Sequence, residues 1–184
     1  GWMPHPDEEG LKQFQEDLKE RAKDFRLVVG ARLSFTDGAP DVIAYPQNRN
    51  GWGRLCRLLT VGNTRAAPGA KRAKKGECLI TIDDLAAYSD DLLLIVMPGD
   101  DLDDLAQPLM QIGDMRPGAV WLGATMNRRG DDARRLSRLK RIAAAAGVPL
   151  IATNNVLYHS AGQRDLQDIM TCIREGMKIA EAGK

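Results

Sequence analysis

Pro149-Leu150-Ile151-Ala152-Thr153-Asn154-Asn155-Val156-Leu157-Tyr158-His159 runs on into Asp165-Leu166-Gln167-Asp168-Ile169-Met170-Thr171-Cys172-Ile173-Arg174-Glu175-Gly176. Leu150 to Thr153 reads as a buried strand. A polar strand end follows, and then a helix with Leu166, Ile169, Met170 and Ile173 on one side. In α/β proteins the carboxyl end of a strand is where chemistry is placed. Here that end carries two amides and Leu157, where a metal site would want a carboxylate and an imidazole.

The same alternation extends back through the chain. Leu11, Phe14, Leu18, Ala22 and Phe25 recur at helical spacing. Arg26-Leu27-Val28-Val29-Gly30 reads as a buried strand, and Leu33 to Phe35 extends it or begins the next. Asp37-Gly38 with Pro40 is a turn, and Asp41 to Tyr45 a second strand ended by Pro46, so a hairpin is expected. Asn50 is the expected cap of a helix through Trp52, Leu55, Cys56, Leu58 and Leu59, closed by Gly62. Residues 63–76 form a loop without apolar periodicity, and Cys78 to Ile80 a short strand. Leu85 to Tyr88 is a short helix led by Asp83 and Asp84. Leu92 to Met97 is the clearest interior strand. Leu102, Leu105, Leu109 and Ile112 give a helix whose middle Pro108 weakens. Ala119 to Gly123 is a strand. Asp131 or Asp132 starts a helix over Leu136, Leu139, Ile142, Ala143 and Ala146, stopped by Gly147 and Pro149. Alternating helices and strands predict βαβ units and a mostly parallel sheet, with an antiparallel hairpin near the start.

Composition bounds the function. With 184 residues the chain can bury a real core, and its aliphatic character with 5% aromatics suits an α/β interior. A formal charge of +1 argues against nucleic-acid binding through the overall field, but not through local clusters. Cys56, Cys78 and Cys172 are odd in number and form no C-x-x-C pair, so a reduced, cytoplasmic setting is expected. No apolar run approaches the roughly 20 residues that span a bilayer, so no membrane partner is expected. Gly1-Trp2-Met3-Pro4-His5-Pro6 has no basic n-region or apolar h-region; it fits the edge of a fragment, not a signal peptide.

Several motifs run in a recognisable order. They are Gly30-Ala31-Arg32-Leu33, Ile43-Ala44-Tyr45-Pro46, Gly53-Arg54-Leu55-Cys56-Arg57-Leu58-Leu59-Thr60-Val61-Gly62 and Lys75-Gly76-Glu77-Cys78. Gly147 to Asn155 and Leu166 to Gly176 complete the series. Together they resemble the polymerase-and-histidinol-phosphatase (PHP) domain at the amino end of bacterial C-family DNA polymerase α subunits, and most of all its error-prone, damage-tolerant branch. The resemblance covers residues 26–184 as one PHP-like α/β domain; residues 1–25 are an amino-terminal amphipathic helix that matches loosely. It implies a distorted (βα)7 TIM-like barrel, here incomplete at its amino end. In active members His, Asp, Glu and Cys at strand ends bind divalent metals and hydrolyse phosphoesters.

The ligand positions that the resemblance implies are degenerate. The early His-x-His pair is missing; the histidines are His5 and His159, and His5 lies in no matching motif. Arg32 stands where active members carry a Glu, and Pro98-Gly99 where they carry a Cys. An Asn-Asp-Val-His-Tyr run becomes Asn154-Asn155-Val156-Leu157-Tyr158. A neutral amide is a poor ligand for a hard cation, Leu157 is none, and Arg32 repels a dication. No metal and no catalytic residue is therefore expected, and no cofactor.

His159 beside no carboxylate reads as a surface residue, and Cys172 among Ile169, Met170 and Ile173 as a small buried hydrophobe. Trp121 reads as core or barrel lining. Asp100, Asp101, Asp103 and Asp104 read as a solvated helix start. Two basic clusters stand out. Arg65, Lys71, Arg72, Lys74 and Lys75 share a loop. Arg128, Arg129, Arg134, Arg135, Arg138, Lys140 and Arg141 surround one helix, with Arg134, Arg138 and Arg141 on a face opposite Leu136 and Leu139. Solvated surface is the plain reading of both; contact with DNA phosphates or with an acidic protein surface is the functional one. Gly51-x-Gly53 is no phosphate fingerprint.

The sequence thus predicts a non-catalytic, structural PHP-type domain of an error-prone DNA polymerase. Its partners would be the polymerase core of the same chain and the DNA backbone, and nucleotidyl transfer would belong to residues outside this chain. Two alternatives stay open: a metal-dependent phosphoesterase or 3′–5′ proofreading nuclease, and an α/β module that binds a small anionic ligand.

Overall fold

The computed structural model describes residues 8–23, 27–71, 74–126, 130–154, 156 and 158–181. The chain is mixed α/β. Its five strands form one mixed sheet in the order β1-β2-β3-β4-β5. They are β1 (Ala31–Leu33), β2 (Val42–Pro46), β3 (Leu92–Val96), β4 (Val120–Ala124) and β5 (Leu150–Ala152). Two units are distinguished, residues 1–94 and 95–184, and the division falls inside β3.

In the first unit the hairpin forms as the turn residues dictate. β1 and β2 pair antiparallel with Leu33 opposite Val42 and Ala31 opposite Ala44. Gly38 turns the chain at a φ of 81°, a conformation that costs glycine little. Val42 and Ala44 are fully buried, as the period of two requires. The strand begins later than expected, at Ala31. Leu27, Val28 and Val29 lie outside it and are exposed, Leu27 at 78%. Apolar content alone had suggested a strand; pairing starts where β2 supplies a partner.

Helix α1 (Glu8–Ala22) exposes its apolar residues Leu11, Phe14 and Leu18. Helix α2 (Arg49–Thr64) buries Gly51, Leu55, Leu58 and Gly62, one stripe of a 3.6-residue helix. Its cap is Asn48, not the expected Asn50: the Asn48 side chain accepts from the backbone N–H of Asn50 (2.9 Å) and Gly51 (3.0 Å). Nor does Gly62 end the helix. A Cβ there would lie 2.5 Å from both Cys78 Sγ and Ile80 Cγ2, so the glycine admits a passing segment. That segment, residues 78–80, forms no strand. It contributes one parallel bridge, Ile80 to Phe35. Helix α3 (Ile82–Tyr88) opens on a capping box between Thr81 and Asp84.

In the second unit β4 and β5 pair in parallel, with Leu122 opposite Leu150. Helix α5 (Asp132–Ala145) connects them and buries Leu139 and Ala143, the expected βαβ unit. Helix α4 (Ala106–Met115) starts later than the Leu102 periodicity suggested. Pro108 therefore falls in its first turn, where a missing N–H costs nothing. Leu102 and Leu105 are buried on the approach, Leu109 and Ile112 within the helix.

Two 3₁₀ turns, η1 (Ala161–Gln163) and η2 (Ile179–Glu181), flank helix α6 (Arg164–Glu175). Gly176, at a φ of 66°, closes α6, and the Met177 N–H donates back to the Cys172 carbonyl (3.0 Å). Cys172 is buried as expected. The apolar stripe of α6 is not: Leu166, Ile169, Met170 and Ile173 are 46–76% exposed. Among the described residues no helix is long and apolar enough to cross a membrane.

Candidate functional site

Arg32 sits on the β1 hairpin edge, half exposed, and its Nε donates to Asp41 Oδ2 at 2.7 Å. A guanidinium already matched to a carboxylate is no cation ligand. Asn154, beyond β5, is exposed, and its backbone carbonyl accepts from the Val156 N–H (2.9 Å). Asn155 and Leu157 lie outside the described residues. The polar pair found at the ends of β4 and β5 is instead Thr125 and Thr153, whose hydroxyls are 2.8 Å apart. Hydroxyl and amide donors do not fit a cluster of divalent metals. Among the described residues no group of three His, Cys, Asp or Glu converges on a common point. His159 is exposed, and Trp121 is half-buried in β4.

The first basic cluster divides. Arg65 caps the carboxyl end of α2 and holds Asp84 in a two-pronged pair: Nη1 to Oδ2 at 2.6 Å and Nη2 to Oδ1 at 2.8 Å. Nη1 also donates to the Leu79 carbonyl (3.1 Å). Asp84 Oδ2 in turn accepts from the Thr81 N–H (2.8 Å) and hydroxyl (3.1 Å). The hydrogen bonds from Arg65, aided by those from Thr81, hold the Asp84 carboxyl down to about 2, against the opposing effect of burial. Arg65 is raised in return, first by its hydrogen bond to Asp84. Lys74 pairs with Glu77 at 3.1 Å. Lys71 and Lys75 are exposed without an ion pair among the described residues, and Arg72 lies outside them.

The second cluster also divides. Arg138 of α5 pairs with Asp103, and Arg135 donates to the carbonyls of Asp100 (3.0 Å), Pro98 and Gly99. The acidic stretch and the basic helix, read separately in the sequence, thus belong to one intramolecular contact. Arg134, Lys140 and Arg141 are exposed, and Arg128 and Arg129 fall outside the described residues.

A third basic group escaped the sequence reading. Arg49, Asn50, Gly53, Arg54 and Arg57 line a concavity of about 350 Å³ on α2. Helical spacing opposite the Leu55 and Leu58 stripe was the available signal; Arg54 and Arg57 were read only as part of a motif, and Arg49 was not singled out.

Fold and surfaces define a mixed α/β chain whose charged faces are partly locked by internal pairs, and among the described residues no group of three His, Cys, Asp or Glu side chains is placed to hold a metal. Its relatives are more specific. The chain is 50% identical over 161 residues to the error-prone DNA polymerase of Rhodopseudomonas palustris (strain BisB5), covering 86% of the chain and 14% of that protein. It is 47% identical over 173 residues to the error-prone DNA polymerase of Brucella abortus, covering 94% of the chain and 15% of that protein. The corresponding protein of Caulobacter vibrioides is 41% identical over 165 residues, 89% of the chain and 14% of its own length. The chain thus spans about one seventh of the curated relatives it matches. No protein-family model matches it.

Proposed function

We propose that this chain is a PHP-type domain of an error-prone, C-family DNA polymerase, that it carries no metal and no hydrolytic chemistry, and that it packs against the polymerase core of the same polypeptide. In this reading the (βα)7 barrel is completed by residues outside the chain, the setting is cytoplasmic, and template-directed synthesis is done elsewhere in the parent protein. Lys71, Lys75, Arg134 and Arg141, exposed and without an ion pair among the described residues, are left to meet DNA phosphates or an acidic surface. Arg65 and Arg138 serve the fold first.

The observation that carries the reading is α6. Its neighbours among the named elements are chiefly the turns that flank it. Its amphipathic pattern nevertheless places Leu166, Ile169, Met170 and Ile173 together on an exposed stripe. Contiguous apolar surface of this kind marks an interaction site. Relatives about seven times longer supply polypeptide to cover it. The donor chemistry agrees: Arg32 bonded to Asp41 and the amide of Asn154 favour support over hydrolysis.

The test is Ile173→Glu in the full-length parent and in the 184-residue chain. Burial in the parent predicts a cost of about 2 kcal/mol or more there and almost none in the isolated chain. Equal effects in both settings would contradict the proposal. Stoichiometric Zn, Mn or Fe surviving dialysis, with chelator-sensitive removal of a primer end, would favour the nuclease instead.

A further inference from the structure

We infer that the concave face of α2 lined by Arg49, Asn50, Gly53, Arg54 and Arg57 is a phosphate-binding site, and that the phosphates it takes are those of a DNA backbone.

The site is built by helix geometry. Arg49, Gly53, Arg54 and Arg57 span two turns, about 12 Å of rise, on the side away from the buried stripe of Gly51, Leu55, Leu58 and Gly62. Gly53 keeps the centre low: a Cβ there would meet nothing within 4 Å, so the space above it is open. Arginine side chains border this open concavity of about 350 Å³.

Charge is concentrated and only partly compensated. Arg54 Nη1 lies 3.1 Å from Asp90 Oδ2, which orients its guanidinium. Asp91, next to Asp90, accepts from the Asn48 side-chain amide at 3.2 Å. Arg49 and Arg57 are exposed and make no ion pair among the described residues. Contrast Arg65, Arg135 and Arg138, whose guanidiniums are spent on internal acceptors. The helix terminus is not what binds: the Asn50 and Gly51 N–H groups are already taken by Asn48. Binding falls to guanidiniums, whose planar forks match phosphate oxygens two at a time.

Several guanidiniums along one helix suit a chain of phosphates better than one small anion. The choice of DNA as the source of the phosphates rests on the polymerase reading above; the phosphate chemistry does not.

The experiment measures binding of the 184-residue chain to a fluorescein-labelled 20-base-pair DNA duplex across a salt series, with inorganic tripolyphosphate as competitor. Arg49→Glu/Arg57→Glu should weaken binding at low salt by about tenfold or more and lower the salt slope by roughly one for each phosphate no longer held. Both residues are exposed, so the variant should keep the parent's circular dichroism and melting temperature. Lys12→Glu/Lys19→Glu on α1 makes the same change in net charge, so it is the control and should change the slope little. Tripolyphosphate should displace the DNA from the unaltered chain. The inference is overturned if Arg49→Glu/Arg57→Glu keeps the slope, if Lys12→Glu/Lys19→Glu matches its effect, or if tripolyphosphate binds while DNA does not. None of these outcomes touches α6, so docking to a polymerase core stands or falls separately.

Discussion

Replacing Asp84 by Asn removes one charge from the best-made ion pair of the first unit while keeping its shape. The structure sets the size of the effect. The Asp84 carboxyl is lowered from 3.8 to about 2, first by the Arg65 hydrogen bonds and then by those from Thr81. A difference of nearly two pH units corresponds to roughly 2.5 kcal/mol. Arg65 is 38% exposed, so water and salt screen the pair. The net cost of Asp84→Asn should then be about 1–1.5 kcal/mol, or roughly 3–5 °C in melting temperature for a chain of this size. Because the folded value is depressed, the stabilisation is complete above about pH 5 and is lost as pH falls through 3.8 towards 2. About half should be gone near pH 3. Urea titrations of both proteins at pH 7, 5 and 3, followed by circular dichroism, measure the gap. A gap of full size at pH 3, or none at pH 7, refutes the linkage between Arg65, Asp84 and the α3 cap.

Two further outcomes follow from packing. Gly62→Ala drives a methyl group into Cys78 Sγ and Ile80 Cγ2, each 2.5 Å from the added carbon; it should destabilise by about 1–3 kcal/mol despite the better helix propensity of Ala, and a rise in urea midpoint would contradict the close approach. Thiol labelling should be ordered: Cys56, exposed, reacts first, while Cys78, whose thiol burial pushes up, and buried Cys172 lag until urea unfolds the chain. Mass spectrometry of a timed alkylation reads this directly, and equal rates would refute it.

What the sequence made legible was local. Asp37-Gly38 and Pro40 announced the hairpin, and Gly147 and Pro149 announced the crossover from α5 into β5. Misreadings arose where one residue type serves two purposes. A glycine late in an apolar helix reads as a terminator, yet Gly62 is there so that residues 78–80 can pass. Pro108 reads as a helix breaker until the start is fixed at Ala106. Pairings between distant residues lay beyond local pattern: Arg65 finds Asp84 19 residues on, and Arg138 finds Asp103 35 residues back. The same limit hid the concavity on α2, which shows only once the opposite face is known to be buried. Helical period also says which residues of α6 share a face, but not whether this chain covers them. Leu166, Ile169, Met170 and Ile173 share one side of the helix, as their spacing says, and that side is exposed.

That surface holds the central claim. Hydrogen–deuterium exchange of residues 164–175, compared between the 184-residue chain and the full-length polypeptide that carries it, tests the claim most directly. Docking against a polymerase core predicts strong slowing of α6 exchange in the longer protein, with Ile173→Glu reversing it. Identical α6 exchange in the two settings would contradict a supporting role for this domain.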